Sequence, residues 1–275
     1  MDVAVRTARR KDIPALCGIW RACFPDTEDY IRYFYRENFE RIAVWVRTVD
    51  DAPVSMLHLF DAAFADGGYS RPAKLIYAVG THPSYRRQGH MGRLLEAVKG
   101  RAREEGHVLF LKPATAELTE YYRSFGFEPD ARFRVVTIRP GERVPLQTDM
   151  LSAQEYNRLR DIAFSGYPYA KWPDRHVQWC VDENEYCGGR TLSVMLDGET
   201  HFVMGAPQGD TLLITETDMG PSQLERAGGA LCALFGAASL KAYLPDHVCG
   251  KGEEIVSSAV YNAPLRDTYV NLIMI

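Results

Sequence analysis

The sequence predicts a mixed α/β (α+β) protein in which helices flank a central sheet. Three observations support this fold class. Strand patterns and helix patterns follow one another along residues 3–139, and a similar succession begins again after residue 146. The chain has 275 residues, of which 46% are hydrophobic and 25% are charged, so it can form one large domain or two of ordinary size.

Residues 3–139 predict the element order β-α-α-β-β-β-α-β-α-β. The strands show apolar–polar alternation or a short apolar run, and the helices show apolar residues three and four positions apart. Asp12 indicates the start of the first helix, and Pro25 separates it from the second. The predicted strands are 3–7, 41–49, 54–64, 75–81, 107–111 and 133–139, and the predicted helices are 13–24, 27–38, 91–102 and 118–125.

A second succession of elements follows a segment rich in turn residues. Pro140-Gly141 and Val144-Pro145 predict a linker, so we expect one domain over 1–140 and another over 146–275. Ser152 and Glu155 have the spacing of a capping box at a helix start. The pattern then predicts α-α-β-β-β-α-β-β, the order of the first half without its first strand. Its helices are expected from 152, at 173–184 and from 222, and its strands at 190–196, 200–206, 211–217, 240–244 and 268–275.

Composition and charge narrow the function classes. A net charge of −4 and a pI near 6.0 argue against nucleic acid as a partner. No apolar run approaches the length of a membrane span, and no secretory leader is expected. The six cysteines include no CxxC pair, so we expect a reduced, cytoplasmic protein without a structural metal. A homo-oligomer is compatible with the sequence.

One loop has the residues of a phosphate-binding turn. Residues 85–92 follow the strand at 75–81 and run directly into a helix. A helix N-terminus offers unpaired N–H groups and the positive end of the helix dipole. Gly89 would let the backbone approach a ligand closely, and Arg86 and Arg87 would add charge near the phosphates or lie in solvent. The alternative is an ordinary strand–turn–helix connection.

A second motif, Tyr122-Arg123-Ser124-Phe125-Gly126-Phe127, closes the next helix. With Arg86-x-x-Gly89 before it, this stretch resembles the GNAT superfamily of acetyl-CoA-dependent N-acetyltransferases. The resemblance implies a GNAT-type mixed central sheet and acetyl-CoA as co-substrate. Met91 stands where the family has a small residue, and Gly92 follows it. By the resemblance, the cofactor-binding residues are Val79, Thr81, Arg86, Arg87, Gln88, Gly89, His90, Met91 and Gly92.

The resemblance also implies the chemistry. Tyr122 matches the general acid that protonates the departing thiolate, and the alternative is that it only packs beside other aromatic residues. Backbone N–H groups at 79–81 would receive the developing oxyanion. Many family members place a carboxylate on the central strand, but 75–81 contains none. The candidates for the general base are therefore His58, Asp61, His82 and Glu117, or a base acting through water.

The second half has the element order of the first without either motif. We interpret it as a degenerate GNAT-like repeat, and the alternative is an unrelated α+β domain. Tandem arrangements of this kind resemble the enhanced-intracellular-survival group of acetyltransferases, which modify aminoglycosides. The chain is expected to be too short for the additional sterol-carrier-like domain of that group.

The acceptor is predicted from two loops that line the acceptor cleft in this fold, at 24–30 and 66–71. The first loop contains Asp26, Glu28 and Asp29, so we expect a small, cationic primary amine. Direct attack of the amine on acetyl-CoA in a ternary complex is the predicted reaction. The alternatives are a non-catalytic acetyl-CoA-binding or ligand-sensing protein and a protein or peptide N-acetyltransferase.

Overall fold

The computed structural model describes residues 2–249, 252–263 and 268–271, with no side-chain description for 254–258. Two compact units can be distinguished by their internal contacts. The first unit comprises Met1–Ala62, Arg71–Glu128 and Ala259–Pro264, and the second comprises the remaining residues. Within the described ranges, no helix is both long enough and apolar enough to cross a membrane.

The first unit has the first nine elements of the predicted order, but the strand predicted at 133–139 as its last element pairs with a strand of the second unit instead. Thr27 caps the second helix, where its hydroxyl accepts a hydrogen bond from the Tyr30 N–H at 3.2 Å. The strands are β1 (Val3–Thr7), β2 (Ala43–Val49), β3 (Ala52–Asp66), β4 (Tyr69–Thr81) and β5 (Val108–Leu111). The helices are α1 (Ile13–Cys23), α2 (Glu28–Asn38), α3 (His90–Glu105) and α4 (Ala116–Arg123). A mixed α/β fold is thereby confirmed.

Strands β4 and β5 form a parallel pair in the sheet of the first unit. The strand order is β1-β2-β3-β4-β5, and β5 pairs further with the end of a late strand, β13 (Glu253–Tyr261). Strands β4 and β5 pair in parallel only from Ala73↔Val108 to Leu75↔Phe110, while β4 continues to Thr81. The carboxyl-terminal half of β4 therefore extends beyond its pairing with β5.

The second unit has strands that the sequence did not predict. We expected it to lack a first strand, and this was wrong: β7 (Gln147–Met150) pairs antiparallel with the strand Arg190–Leu196. Strand β7 is short and polar, so it shows no apolar alternation. The other elements are β6 (Glu128–Ile138), α5 (Ala153–Phe164), β8 (Tyr169–Lys171), α6 (Asp174–Tyr186), β9 (Arg190–Leu196), β10 (Glu199–Gln208), β11 (Thr211–Thr217), α7 (Pro221–Phe235) and β12 (Ser239–Pro245).

The predicted last strand also differs from the structure. We placed it at 268–275, whereas the late strand of the structure is β13. Of the predicted range, 268–271 are described and contain one bridge, from Tyr269 to Tyr169. Residues 272–275 lie outside the described residues.

The two units repeat one topology with their last strands exchanged. The order β7-β9-β10-β11-β12-β6 in the second unit corresponds to β1-β2-β3-β4-β5-β13 in the first. In each, the fourth and fifth strands form the parallel pair. Strand β6 pairs with β12 in the second unit, and Ala259–Tyr261 of β13 pair with β5 in the first. The domain boundary near residue 140 stays a prediction, since the units are not contiguous in sequence.

The segment predicted as a linker packs tightly against α7. The Gly141 N–H donates to the Glu225 carbonyl at 2.8 Å. A Cβ on Gly229 would lie 2.6 Å from the Gly141 carbonyl oxygen. A glycine in the middle of this helix thus permits a backbone-to-backbone contact that no larger residue would allow.

Candidate active site

The end of β4 has an irregular backbone. Ala78 has a φ of 45°, in the left-handed region that L-residues other than glycine rarely adopt. It lies in the part of β4 after Leu75, beyond the pairing with β5. Val79 and Thr81 follow it and are half-buried, and the Thr81 hydroxyl lies 2.9 Å from that of Ser55. Nothing in the sequence predicted this irregularity, because alanine carries no signal for a positive φ.

The N-terminus of α3 is open to a ligand. Gly89 precedes the helix with a φ of 78°, and no side chain caps the helix. The first intrahelical bond runs from the Arg93 N–H to the Gly89 carbonyl at 3.2 Å, so the N–H groups before Arg93 have no intrahelical acceptor. No other described atom lies within 4 Å of the place a Gly89 Cβ would take. This arrangement can bind an anion.

Arg86 and Gln88 contact the protein's own backbone. The Arg86 guanidinium donates to the carbonyls of Thr81 at 3.1 Å and Ala22 at 3.2 Å. The Gln88 side-chain amide donates to the Ser84 carbonyl at 3.1 Å. Arg86 therefore ties the loop to the end of β4 and to the last turn of α1, a contact that the sequence did not predict.

The departure from the family pattern at residues 91 and 92 has a packing explanation. The side chain of Met91, in the first turn of α3, packs against the hydrophobic core of the first unit. A Cβ on Gly92 would lie 3.2 Å from the ring of Phe125. A small residue is thus favoured at 92, where the Phe125 side chain of the segment after α4 approaches α3. His90, also in the predicted set, is buried and lies 5.8 Å from the Tyr85 ring.

Tyr122 lies at the edge of the same core. Its side chain is 6% exposed, and its ring lies 5.4 Å from that of Tyr121 and 6.1 Å from that of Phe127. Burial, with a smaller contribution from Tyr121, raises the pKa of Tyr122 well above its usual value. The phenol is therefore protonated at neutral pH and can act as a proton donor. Gly126 adopts a φ of 82° where α4 ends, which explains the glycine of the motif.

The four candidate bases have separate environments. His58 is completely buried, and burial lowers its pKa to about 4. The Asp61 carboxylate is ion-paired with Lys74. His82 accepts a hydrogen bond from the Ser84 N–H at 3.3 Å. Glu117 is exposed in the first turn of α4.

The acidic residues of the loop after α1 are partly paired. The Asp26 carboxylate accepts a hydrogen bond from the Trp20 indole N–H at 2.8 Å. The Glu28 carboxylate binds Arg21 at 2.8 Å and Arg32 at 2.7 Å, and the hydrogen bond from Arg32 is the largest cause of its lowered pKa. The predicted loop at 66–71 is a tight hairpin turn through Gly67 and Gly68.

The helix start in the second unit differs from that of α3. The Gly220 N–H donates to the Gln223 side chain at 2.8 Å, and Pro221 has no N–H to offer. The Met219 N–H donates to the Thr217 hydroxyl at 3.1 Å. At the start of α7, the Met219 and Gly220 N–H groups are therefore bonded and residue 221 has none to offer.

Three features together define a protein of the GNAT fold. They are the element order, the parallel pair whose strands separate beyond Leu75, and the uncapped start of α3. Residues 4–129 match the family described as acetyltransferase (GNAT) domain. This part of the chain is a GNAT acetyltransferase domain. In the comparison with curated proteins, none matched the chain.

Solved structures extend the likeness in fold to the second unit. A probable N-acyltransferase from Enterococcus faecalis is 12% identical, with a TM-score of 0.69 over 94% of this chain and 70% of that one. A GCN5-related N-acetyltransferase from Kribbella flavida is 21% identical, with a TM-score of 0.65 over 94% and 69%. Eis1 from Mycobacterium abscessus is 13% identical, with a TM-score of 0.66 over 95% and 73%. At these identities the likeness shows the fold alone.

Proposed function

We propose that this protein transfers an acetyl group from acetyl-CoA to a primary amine of a small acceptor. The observation that carries the proposal is the succession of two open backbone features: the end of β4 beyond its pairing with β5, and the uncapped start of α3. The first offers strand-edge groups to an extended amide chain, and the second offers N–H groups to phosphates.

These features fit acetyl-CoA. The backbone of Val79–Thr81 would hold the pantetheine arm, and the backbone of Arg87–Gly92 would hold the pyrophosphate. The open space above Gly89 leaves room for the phosphates to reach the helix start. Acetyl-CoA supplies the activated acyl group as a thioester.

The chain's own residues supply orientation and a proton. Tyr122 is held protonated by burial and would donate to the sulfur as it departs. The acceptor amine must lose its proton, and we assign that step to water, because His58 is enclosed and Asp61 is paired. The rate should therefore rise with pH through neutrality, as the fraction of free amine increases.

The decisive experiment compares two substitutions at the two ends of α3. Gly89→Asp places a carboxylate at the proposed phosphate site, while Gly106→Asp places the same charge at the far end of the helix, where φ is also positive, at 71°. We expect Gly89→Asp to abolish acetyl-CoA binding in calorimetric titration and Gly106→Asp to retain it. Equal affinity of both variants and wild type would refute the loop assignment.

Stoichiometry tests the second unit. Because the Met219 and Gly220 N–H groups are bonded and Pro221 has none, we expect about one acetyl-CoA per chain. Saturation near two per chain would contradict a degenerate second repeat.

The acceptor class is proposed from charge. Asp26 and Asp29 favour a cationic amine, while the charge of Glu28 is offset by two arginines. Polyamines, aminoglycosides and amino-acid-like amines, assayed beside basic peptides for thiol release, would identify the acceptor. Turnover of peptides alone would exclude a small amine. Acetyl-CoA binding without turnover of any acceptor would favour a sensing role.

A further inference from the structure

The positive φ of Ala78 needs a group that holds it in place. A non-glycine residue in this region has a cost of the order of 1–3 kcal/mol and persists only when its surroundings enforce it. Ala78 is nearly buried and follows Tyr77, whose carbonyl is contacted by His58 on the neighbouring strand β3. His58 is therefore the side chain to consider.

The hydrogen bonds of His58 determine its tautomer. Its Nδ1 lies 3.3 Å from the Tyr77 carbonyl oxygen, and its Nε2 lies 3.0 Å from the Tyr35 hydroxyl. A carbonyl oxygen can only accept, so Nδ1 carries the proton and donates it. Nε2 must then accept, and the Tyr35 hydroxyl donates to it. Both nitrogens of a neutral imidazole are used.

The surroundings keep this arrangement rigid and uncharged. The His58 ring lies 5.4 Å from that of Trp20 and 5.5 Å from that of Phe34, in edge-to-face contacts. His58 is fully buried, and desolvation raises the pKa of Tyr35 well above its usual value, so the phenol keeps its proton. Hydrogen bonds thus connect Tyr35 of α2 to His58 of β3, and His58 to the Tyr77 carbonyl of β4.

We propose that His58, hydrogen-bonded to Tyr35, is a positioning residue that fixes the backbone of β4 at Tyr77–Ala78 for acetyl-CoA. This inference rests on the proposed function, since the part of β4 that it fixes immediately precedes the proposed pantetheine-binding edge at Val79–Thr81. His58 touches neither amine nor thioester, and it acts through the β4 backbone.

Three variants separate this role from that of a general base. His58→Asn retains an amide N–H near the position of Nδ1, whereas His58→Leu fills similar space without a donor. Tyr35→Phe removes the donor to Nε2, together with the contact of the same hydroxyl to the Met56 sulfur at 3.5 Å. The control is Val98→Ala, a cavity variant of a buried residue on α3. The readouts are amide hydrogen exchange of peptides covering 74–81, calorimetric binding of acetyl-CoA, and the pH profile of kcat/KM.

We expect His58→Leu to accelerate exchange at 77–81 and to weaken acetyl-CoA binding, each by about tenfold, as expected for the loss of one buried hydrogen bond. His58→Asn should restore both to within about threefold of wild type, with an unchanged pH profile, and Tyr35→Phe should lie between. Val98→Ala should lower global stability without a selective change at 77–81. If His58→Leu does not fold, Tyr35→Phe and His58→Asn carry the comparison.

Two results would overturn the inference. One is wild-type exchange at 77–81 in both His58→Leu and Tyr35→Phe. The other is a His58→Asn variant as inactive as His58→Leu, with normal exchange and a lost acid limb of the pH profile, which would make His58 the base. If wild type bound no acetyl-CoA, the proposed function would fail, while hydrogen exchange would still decide the role of His58.

Discussion

The two units place different chemistry at corresponding positions. In the first, Trp20 of α1 packs against Tyr77 of β4, with ring centroids 5.9 Å apart. In the second, Arg160 of α5 is ion-paired with Glu216 of β11 at 2.9 Å, and both side chains are fully buried. Each pair joins the first helix of its unit to the strand that begins the parallel pair.

This difference shows two ways to stabilise one topology. The ion pair of the second unit engages neighbouring polar groups: Arg160 donates to the Ala170 carbonyl at 2.7 Å, and the Tyr156 hydroxyl donates to Glu216. The centre of the first unit is uncharged, and its hydrogen bonds through His58 reach the backbone of β4. At the start of α7 the Gly220 N–H is bonded to Gln223 and Pro221 has no N–H, whereas neither feature is present at the start of α3, so we associate the proposed ligand binding with the first unit.

The largest expected effect concerns the charged centre. Arg160→Met should lower the free energy of unfolding by about 3–5 kcal/mol, because it leaves the Glu216 carboxylate buried without its partner. The double variant Arg160→Met, Glu216→Leu should recover most of the loss, since no charge remains buried. Chemical denaturation of the three proteins measures both values. Equal losses in the single and double variants would show that packing, and not the charge, is responsible.

The neutral centre should make the first unit sensitive to acid. The pKa of His58 is about 4 in the folded protein, below its ordinary value of 6.5, so folding favours the neutral ring. The stabilisation of the folded state that follows from this pKa difference is complete above pH 6.5. As the pH falls towards 4, the free energy of unfolding decreases by on the order of 3 kcal/mol. Unfolding free energies of wild type and His58→Leu, measured from pH 7 to 4, should converge. Parallel curves would show that His58 titrates alike in both states.

The proposed proton donor gives a comparison within the first unit. Tyr122→Phe should lower kcat by about 10²-fold with little change in acetyl-CoA affinity, because only the proton donor is removed. The neighbouring Tyr121, which is 38% exposed, provides the control, and Tyr121→Phe should leave kcat nearly unchanged. Steady-state kinetics with one amine acceptor decides this. An unchanged kcat in Tyr122→Phe would assign that residue to packing.

The smallest effect contrasts a helix glycine in each unit. Gly229→Ala should cost about 1–3 kcal/mol, because its Cβ would lie 2.6 Å from the backbone oxygen of Gly141. Gly100→Ala in α3 meets no atom within 4 Å and should be neutral or stabilising by up to about 1 kcal/mol. Thermal unfolding of both variants tests the contrast. Equal effects would mean that the linker yields to the added methyl group.

Local signals were sufficient for much of the fold. The capping box of Ser152 and Glu155 begins α5 as predicted, because a capping side chain acts on its own helix. The helix start after Gly89 was predicted for the same reason, since the glycine and the first turn of α3 are adjacent in sequence. Strands β7 and β8 were missed because short strands depend on their partners more than on their own residues.

The chemistry within each unit was harder to predict than the fold. The ion pair of Arg160 and Glu216 joins residues distant in sequence, and neither residue is unusual in its local context. No feature of the amino-acid sequence indicates the positive φ of Ala78. One signal was available: His58 is the only polar residue in the run Leu57-His58-Leu59-Phe60, which predicts a buried polar side chain that must find partners.

The exchange of last strands bears on how the chain is made. Strand β5 leaves the ribosome long before Ala259–Tyr261, its later partner. At roughly 5–20 residues per second, the interval is on the order of 10 seconds. Strand β6, which follows α4 in the chain, also waits for its partner, because it pairs with β12 and β12 is synthesised later. Translation must therefore reach the second half before either half acquires its final strand, so the two repeats mature together rather than in turn.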